Sequence, residues 1–231
     1  MSATIATMGS WFPNLNAAKW ERIGWDTVDT LLMLAGALPS TLLVGLALGV
    51  LLFLSGSRRL HPRPALHRLL TLAVNLLRSL PFIILIIVMV PVTLWLMGTS
   101  LGVRGTILPL TIGGAPFYAR LVETALREVD RGVVEAAQAM GATTWQLIWR
   151  VLLPEALPGL ISGATVTAIA LIGFTAMGGV IGAGGLGDLA YRDGYQRGQT
   201  DVAAVAVVIL LLIVQALQIF GDRLANHFDR R

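Results

Sequence analysis

Long apolar stretches alternate along the chain with short segments that carry its charges. Five stretches contain no Asp, Glu, Lys or Arg and cover residues 31–54, 79–97, 105–119, 156–187 and 202–221. A helix needs roughly 20 apolar residues to cross a hydrocarbon core of about 30 Å. Backbone polar groups are not left unpaired in lipid, so each stretch is predicted to be helical. The pattern predicts an all-α integral membrane protein with five transmembrane helices.

The third stretch, 105–119, fits this pattern least well. It is short for a span, and it is interrupted by Pro109, Gly113, Gly114 and Pro116. Irregular backbone at membrane depth is tolerated where it is buried in protein or lines a cavity. We therefore predict a buried, kinked helix, with a re-entrant loop as the alternative.

Composition supports the membrane assignment. Of the 231 residues, 55% are hydrophobic and 13% are charged, whereas soluble domains carry roughly 25% charged residues. The chain contains no cysteine, which excludes disulfides, cysteine zinc sites and a cysteine nucleophile.

The distribution of basic residues predicts the orientation. Twelve of the seventeen Lys and Arg residues follow the first, third and fifth stretches or begin the second. Because cytoplasmic segments are enriched in basic residues, the N-terminus is predicted outside and the C-terminus in the cytoplasm. This topology accounts for the net charge of +4, so no nucleic-acid partner is expected.

Three segments are predicted on this basis. Residues 1–28 form an external or interfacial N-terminal segment, whose Trp11, Trp20 and Trp25 favour the lipid headgroup zone. Residues 29–222 form the transmembrane domain, and residues 223–231 form a cytoplasmic tail.

The longest hydrophilic segment, at about 128–154, has the pattern of two short helices. Apolar residues recur at helical spacing up to Met140, and Gly141 then interrupts the run. Thr143 and Gln146 have the spacing of a capping box, which starts a second helix. That helix has an apolar face of Trp145, Ile148, Trp149 and Leu152, and it is predicted to end at Pro154. We refer to residues 128–154 as the helix–turn–helix segment.

Two functions fit such a segment on physical grounds. It lies on the membrane surface, or it presents apolar side chains to a soluble partner. The order of residues Glu135-Ala136-Ala137, Gly141 and Leu153-Pro154 resembles the signature of binding-protein-dependent ABC importer permeases. The one departure is Val151, which stands where isoleucine is usual.

The resemblance implies a multi-pass permease of the bacterial cytoplasmic membrane that is not itself an enzyme. It implies a homodimer bound to two cytoplasmic ATPase subunits, which hold ATP and Mg²⁺, so that this chain needs no cofactor. The segment would then couple ATP hydrolysis to transport. Glu135 would pair with the ATPase, or alternatively with Arg131 of its own helix. The implied coupling residues are Glu135, Ala136, Ala137, Met140, Gly141, Ala142, Thr143, Leu153 and Pro154.

Several further stretches resemble the methionine importer permeases in particular. They cover residues 78–84, 108–111, 115–117, 152–159, 176–179 and 184–187. This subfamily implies methionine as the substrate and an external methionine-binding protein or lipoprotein as a further partner.

The fourth stretch is rich in small residues, which let helices approach closely in lipid. We predict that it lines the pathway and the dimer axis. Its candidate pathway and gate residues are Ser162, Phe174, Met177 and Gly178.

Other functions are less consistent with the sequence. An intramembrane enzyme or an ion-coupled transporter needs ionisable groups at membrane depth, and the five stretches contain no Asp, Glu, Lys or His. No catalytic or metal site is therefore predicted. A membrane scaffold would not account for the helix–turn–helix segment, and a permease for another small solute remains the main alternative.

Overall fold

The computed structural model describes residues 13–56 and 63–229, and every regular element in these ranges is helical. This confirms the all-α prediction. The α-helices are α1 (Ala17–Ser55), α2 (Pro64–Ser79), α3 (Phe82–Met97), α4 (Gly102–Glu128), α5 (Arg131–Ala139), α6 (Thr144–Leu147), α7 (Leu153–Glu155), α8 (Leu157–Gly179), α9 (Gly185–Leu189) and α10 (Thr200–Phe228). Two π-helical segments, π1 (Ile148–Leu152) and π2 (Ala190–Gln196), precede α7 and follow α9.

Within the described residues, three helices are long and apolar enough to cross a membrane, namely α1, α8 and α10. A fourth span is counted when α2 and α3, which are separated by Leu80 and Pro81, are taken together. The second apolar stretch was predicted to start a helix at Ser79, but Ser79 is the last residue of α2. The apolar helix α3 begins at Phe82, because Pro81 interrupts the helical hydrogen bonds between the two. The multi-pass architecture is clear, while the count of five spans stays a prediction.

α1 runs through the predicted boundary between residues 28 and 29 without a break. It begins at Ala17, so residues 17–28 of the predicted N-terminal segment belong to the first helix. Trp20 and Trp25 are exposed on it, as expected of side chains that face the headgroup zone. Trp11 lies outside the described residues.

The third apolar stretch forms the middle of α4, which continues unbroken through Pro109 and Pro116. Its side chains are largely buried, including those of Leu110, Ala115 and Ala119. The prediction of a buried helix, rather than a re-entrant loop, is thus confirmed over a longer range than expected, and the kink stays a prediction. The prolines and glycines of this stretch are largely surrounded by protein rather than lipid, where an irregular backbone would be unfavourable.

The fourth apolar stretch was predicted to continue to residue 187, and this is wrong, because α8 ends at Gly179. A turn follows, and α9 then begins at Gly185. The chain folds back so closely that a Cβ on Gly187, in α9, would overlap the backbone of Ala176 in α8. Hydropathy did not distinguish this turn from a span, because its residues are apolar and uncharged.

The described residues divide into two compact units. Among the described residues, the first unit draws on 13–38, 82–110 and 170–216. Its apolar core joins α1 to α9 and α10. The fully or nearly fully buried residues of this core are Ile23, Leu186, Leu189, Val202 and Ala206.

Among the described residues, the second unit draws on 39–56, 63–81, 111–169 and 217–229. Its larger core gathers side chains from α1, α4 and the helix–turn–helix segment. The segment therefore packs on long helices of its own unit. The buried residues of this core include Phe53, Val122, Leu126, Ala137, Leu147 and Leu152.

Candidate functional site

The helix–turn–helix segment has the predicted turn. Asp130 caps the start of α5, and its side chain accepts a hydrogen bond from the backbone N–H of Gly132 at 2.6 Å. Met140 caps the end of the helix, and Gly141 adopts a φ of +79°, in the left-handed region that favours glycine. The N–H of Ala142 then donates to the carbonyl of Ala137 at 3.1 Å, which closes the turn.

The second helix begins with the capping box that the sequence predicts. The backbone N–H of Gln146 donates to the Thr143 hydroxyl at 3.3 Å, and the backbone N–H of Thr143 donates to the Gln146 side chain at 2.9 Å. These two bonds give side-chain acceptors to two backbone N–H groups that have no partner within the helix. The capping box thereby fixes where the chain leaves the turn.

The prediction that Pro154 ends this helix is wrong. The π1 segment precedes it, where the N–H of Leu153 donates five residues back to Ile148. After Pro154, the N–H of Ala156 donates four residues back to Leu152. Pro154 therefore lies where the backbone hydrogen bonds change from a spacing of five residues to a spacing of four. Its missing N–H falls at this change, so the helix continues past it.

The predicted apolar face of the second helix divides into a buried and an exposed part. Leu152, together with Leu147, is 1% exposed in the core of the second unit. Trp145 and Trp149 are 68% and 51% exposed, and their ring centroids lie 5.3 Å apart. Met140 is also exposed on the preceding turn. The segment thus has an anchored inner side and an apolar outer side, which is suited to contact with a partner.

The three residues of the Glu135-Ala136-Ala137 motif have different environments. Ala137 is buried in the core, whereas Glu135 and Ala136 are exposed. Within residues 13–56 and 63–229, Glu135 forms no ion pair, so the alternative pairing with Arg131 is not observed. Its carboxylate is available for contact outside this chain.

Three of the four candidate pathway residues lie on the last turns of α8, in the first unit. Phe174 stacks on Phe82 with ring centroids 4.5 Å apart and planes 6° apart. Gly178 is buried, and a Cβ there would lie 3.2 Å from Cβ of Ala183. Met177 is 48% exposed, so it alone of these three presents its side chain outward. Ser162 is exposed on an earlier part of the helix that belongs to the second unit.

An ion cluster in the first unit was not predicted from the sequence. Asp193 is fully buried and pairs with Lys19 at 2.5 Å, Arg22 at 3.2 Å and Arg197 at 2.7 Å. Burial alone would raise the pKa of Asp193, but the hydrogen bond from Lys19 and the charges of Arg22, Lys19 and Arg197 hold it below its ordinary value. The cluster ties the start of α1 to π2. The spacing of Asp193 and Arg197 was a visible signal, whereas the contact with Lys19 spans 174 residues.

A second buried carboxylate, Glu123, lies in α4 and was also missed. It pairs with Arg120 at 2.7 Å and with Arg127 in close contact, and Arg120 also donates to the Asn75 side chain of α2 at 2.9 Å. The spacings of three and four residues are those of paired side chains on one helix face. Those spacings were the signal in the sequence that could have identified it.

Comparisons with known proteins agree on one kind of protein. Residues 41–231 match the family model described as "Binding-protein-dependent transport system inner membrane component". The "Methionine import system permease protein MetP" of Bacillus subtilis is 50% identical over 222 residues, which cover 96% of this chain and 98% of that protein. The "D-methionine transport system permease protein MetI" of Escherichia coli O157:H7 is 51% identical over 136 residues, which cover 59% of this chain and 63% of that protein.

A solved structure extends the comparison to three dimensions. A chain from a structure described as inward-facing conformations of the MetNI methionine ABC transporter superposes with a TM-score of 0.92. It is 41% identical, and the match covers 94% of this chain and 100% of that one.

Proposed function

Because this chain belongs to the family of inner membrane components of binding-protein-dependent transport systems, we propose that it is the permease subunit of an ATP-driven methionine importer. The observation that carries the proposal is its 50% identity to a methionine import permease over nearly the whole of both chains. The names of the two relatives specify methionine and D-methionine. Both stereoisomers are therefore the substrates to test.

The helix–turn–helix segment is proposed as the contact for a cytoplasmic ATPase. Its support is the combination of an anchored inner side, through Leu147 and Leu152, with exposed Met140, Trp145 and Trp149. Large apolar and aromatic side chains of this kind are common at the centre of protein interfaces. Because the inner side is packed in the core, a displacement of the outer side would be transmitted to the long helices α1 and α4.

Individual residues have distinct proposed roles in this contact. Glu135 is an exposed carboxylate that pairs with a basic group of the ATPase. Ala136 and Ala142 have small side chains that allow the ATPase to approach closely. Ala137 and Leu153 pack in or against the core beneath this surface. Gly141 and Thr143 set the angle between the two helices, and Pro154 follows the π1 segment that leads into α8.

The pathway is proposed to run along α8 in a homodimer of this chain. Met177 is the candidate gate, because its flexible thioether is exposed and adaptable. Phe174 and Gly178 support it through packing against Phe82 and Ala183. Ser162 is the polar candidate nearer the start of the helix. Five membrane spans, an external N-terminus and a cytoplasmic C-terminus complete the proposed topology.

The remaining parts of the machine lie outside this chain. Two ATPase subunits are proposed to bind ATP and Mg²⁺, and an external binding protein is proposed to deliver methionine. The chain itself carries out no bond chemistry in this assignment.

Uptake of labelled methionine by vesicles tests the assignment. The vesicles contain this chain, its ATPase and its binding protein, and they are assayed with and without ATP. We expect ATP-dependent uptake that excess methionine competes and unrelated amino acids do not. An ATPase that co-purifies with the chain without methionine uptake would reject the substrate and retain the importer. Failure to bind any ATPase would reject the importer.

A further inference from the structure

We propose that α2 is an interfacial helix that binds the cytoplasmic leaflet, with its leucines in the apolar edge and its arginines on anionic lipid headgroups. Only the choice of leaflet rests on the function and orientation proposed above. The geometry that points to this role is the division of α2 into three faces.

The first face of α2 packs on its own unit. Val74 is 3% exposed and lies in a small core with Leu52 and Ala119, and Leu70 packs against the same core. Because this face is covered by α1 and α4, α2 is held at a fixed rotation about its axis. Its other two faces are therefore presented in a defined direction.

The second face is apolar and exposed. Leu69, Leu72 and Leu76 are 64%, 57% and 56% exposed, and their spacings of three and four residues place them in one stripe. Leu80, immediately after the helix, continues the stripe at 45% exposure. The stripe contains no aromatic side chain, in contrast to the exposed pair Trp145 and Trp149. Interfaces between proteins favour aromatic anchors, whereas leucine alone is well suited to lipid tails.

The third face is polar and borders the leucine stripe. It carries Arg68, Asn75 and Arg78, all of which are exposed. Asn75 accepts a hydrogen bond from Arg120, and the Arg78 guanidinium lies 5.8 Å from the centre of the Phe117 ring. A polar face beside an apolar face is the arrangement of a helix that lies in the headgroup plane.

The sequence around α2 carries charge of one sign. No acidic residue occurs between Asp29 and Glu123. The 23 residues from 57 to 79 contain five arginines, Arg58, Arg59, Arg63, Arg68 and Arg78. A cluster of this size directly after a membrane helix attracts anionic lipids, and each basic residue near the surface contributes about five-fold in affinity. Charge complementarity therefore identifies the occupant of the leucine stripe as an anionic leaflet.

The first test measures what covers the stripe. The chain contains no cysteine, so single nitroxide labels can be placed by Leu69→Cys, Leu76→Cys and Asn75→Cys. The complex with its ATPase is reconstituted in vesicles of phosphatidylcholine and phosphatidylglycerol. We expect labels at 69 and 76 to collide with dissolved oxygen and the label at 75 to collide with a water-soluble nickel chelate. Leucine positions shielded from both reagents would mean that a protein covers the stripe, and collisions with nickel there would mean that it faces water. Either result would overturn the proposal.

The second test measures the role of the charges. A fluorophore attached to the Leu69→Cys variant is quenched by brominated phosphatidylglycerol or by brominated phosphatidylcholine, and the ratio gives the local preference for anionic lipid. We expect the added double substitution Arg63→Gln/Arg68→Gln to lower this preference by up to about 25-fold. Arg104→Gln, which removes one exposed arginine on the side predicted to be external, is the control and should leave the ratio unchanged.

An unchanged ratio in the double variant would refute the headgroup contact. Methionine uptake measured in the same vesicles reports separately on the proposed function. Normal uptake with a failed lipid test rejects this inference alone, and a successful lipid test without uptake rejects the transport assignment alone.

Discussion

Two glycine turns of this protein illustrate two different uses of the same residue. At the exposed turn, residues 140–143, Gly141 has a φ of +79° and no atom within 4 Å of where a Cβ would lie. At the buried turn, residues 179–188, a Cβ on Gly179 or Gly187 would overlap backbone atoms. The first turn needs glycine for its conformation, and the second needs it for space. The exposed turn therefore leaves room around Gly141 for the partner contact proposed above, whereas the buried turn has no space for a larger residue at position 179 or 187.

The largest effect is expected from Gly187→Ala in the buried turn. The added methyl group meets the backbone of Ala176, which does not move aside as a side chain would. We expect a loss of about 3 kcal/mol in stability, at the upper end of typical overpacking costs. The fraction of complex that remains monodisperse after heating in detergent measures it. Gly173→Ala is the matched control, because nothing lies within 4 Å of a Cβ at that position of α8. Equal stability of the two variants would mean that the buried turn is not tightly packed.

Asp193→Asn is expected to have the next largest effect, also in the first unit. It leaves Lys19, Arg22 and Arg197 facing one another without the buried carboxylate. Loss of one partner of a buried pair costs about 3–5 kcal/mol. We expect about 2 kcal/mol here, because Arg22 and Arg197 keep part of their hydration. Asp222→Asn, which alters an exposed carboxylate of α10, is the control.

The same variant carries a pH signature. The pKa of Asp193 in the folded protein lies below its ordinary value of 3.8. Its contribution to stability is therefore fully present above pH 3.8 and is lost as the pH falls below that value. The stability difference between wild type and Asp193→Asn should shrink in that acid range, measured by thermal inactivation at a series of pH values. A difference that grows on acidification would contradict the assigned ion pairs.

Glu135→Lys tests the exposed segment and should affect function rather than folding. Reversal of an exposed interface charge weakens the contact with its partner. We expect at least a ten-fold loss in ATPase binding, about 1.4 kcal/mol, and a matching loss of uptake, with membrane insertion unchanged. Glu21→Lys makes the same charge change near the start of α1 and should leave ATPase binding intact. Normal uptake by Glu135→Lys would reject the coupling assignment.

Gly141→Ala should have the smallest effect. Space is available for the methyl group, so the cost is the left-handed backbone alone, about 1 kcal/mol. Gly141→Asn should cost less, because asparagine enters this region more readily. Thermal inactivation of the purified complex ranks the two variants. A ranking in which Gly141→Ala is as harmful as Gly187→Ala would remove the distinction between the two turns.

Local chemistry explains which predictions from the sequence succeeded. The turn at Gly141 and the capping box of Thr143 and Gln146 depend on residues three or four positions apart, and both were found as predicted. The burial of 105–119 followed from its poor fit to lipid. The family and its methionine relatives agreed with the motif around Glu135.

Predictions failed where the structure depends on contacts that hydropathy and residue spacing do not encode. The end of α8 at Gly179 depends on a turn folding back on its own helix, and an apolar turn has the same hydropathy as a span. The contact of Lys19 with Asp193 joins residues that sequence spacing cannot relate. The continuation of the helix past Pro154 required a π segment, for which the sequence carried no recognised signal.

That π segment has a consequence for how the chain tolerates insertions and deletions. Each residue of an α-helix advances the side chains by about 100°, and a π turn holds one residue more than an α turn. The π segment, residues 148–152, therefore changes the direction in which Trp145 faces relative to the side chains at the start of α8. Deletion of a single residue here would remove one backbone N–H and one C=O, and it would rotate the helix before the deletion by about 100° relative to α8. A gene that lost one codon at this point would encode a protein of nearly the same composition in which Trp145 faces a different direction relative to α8.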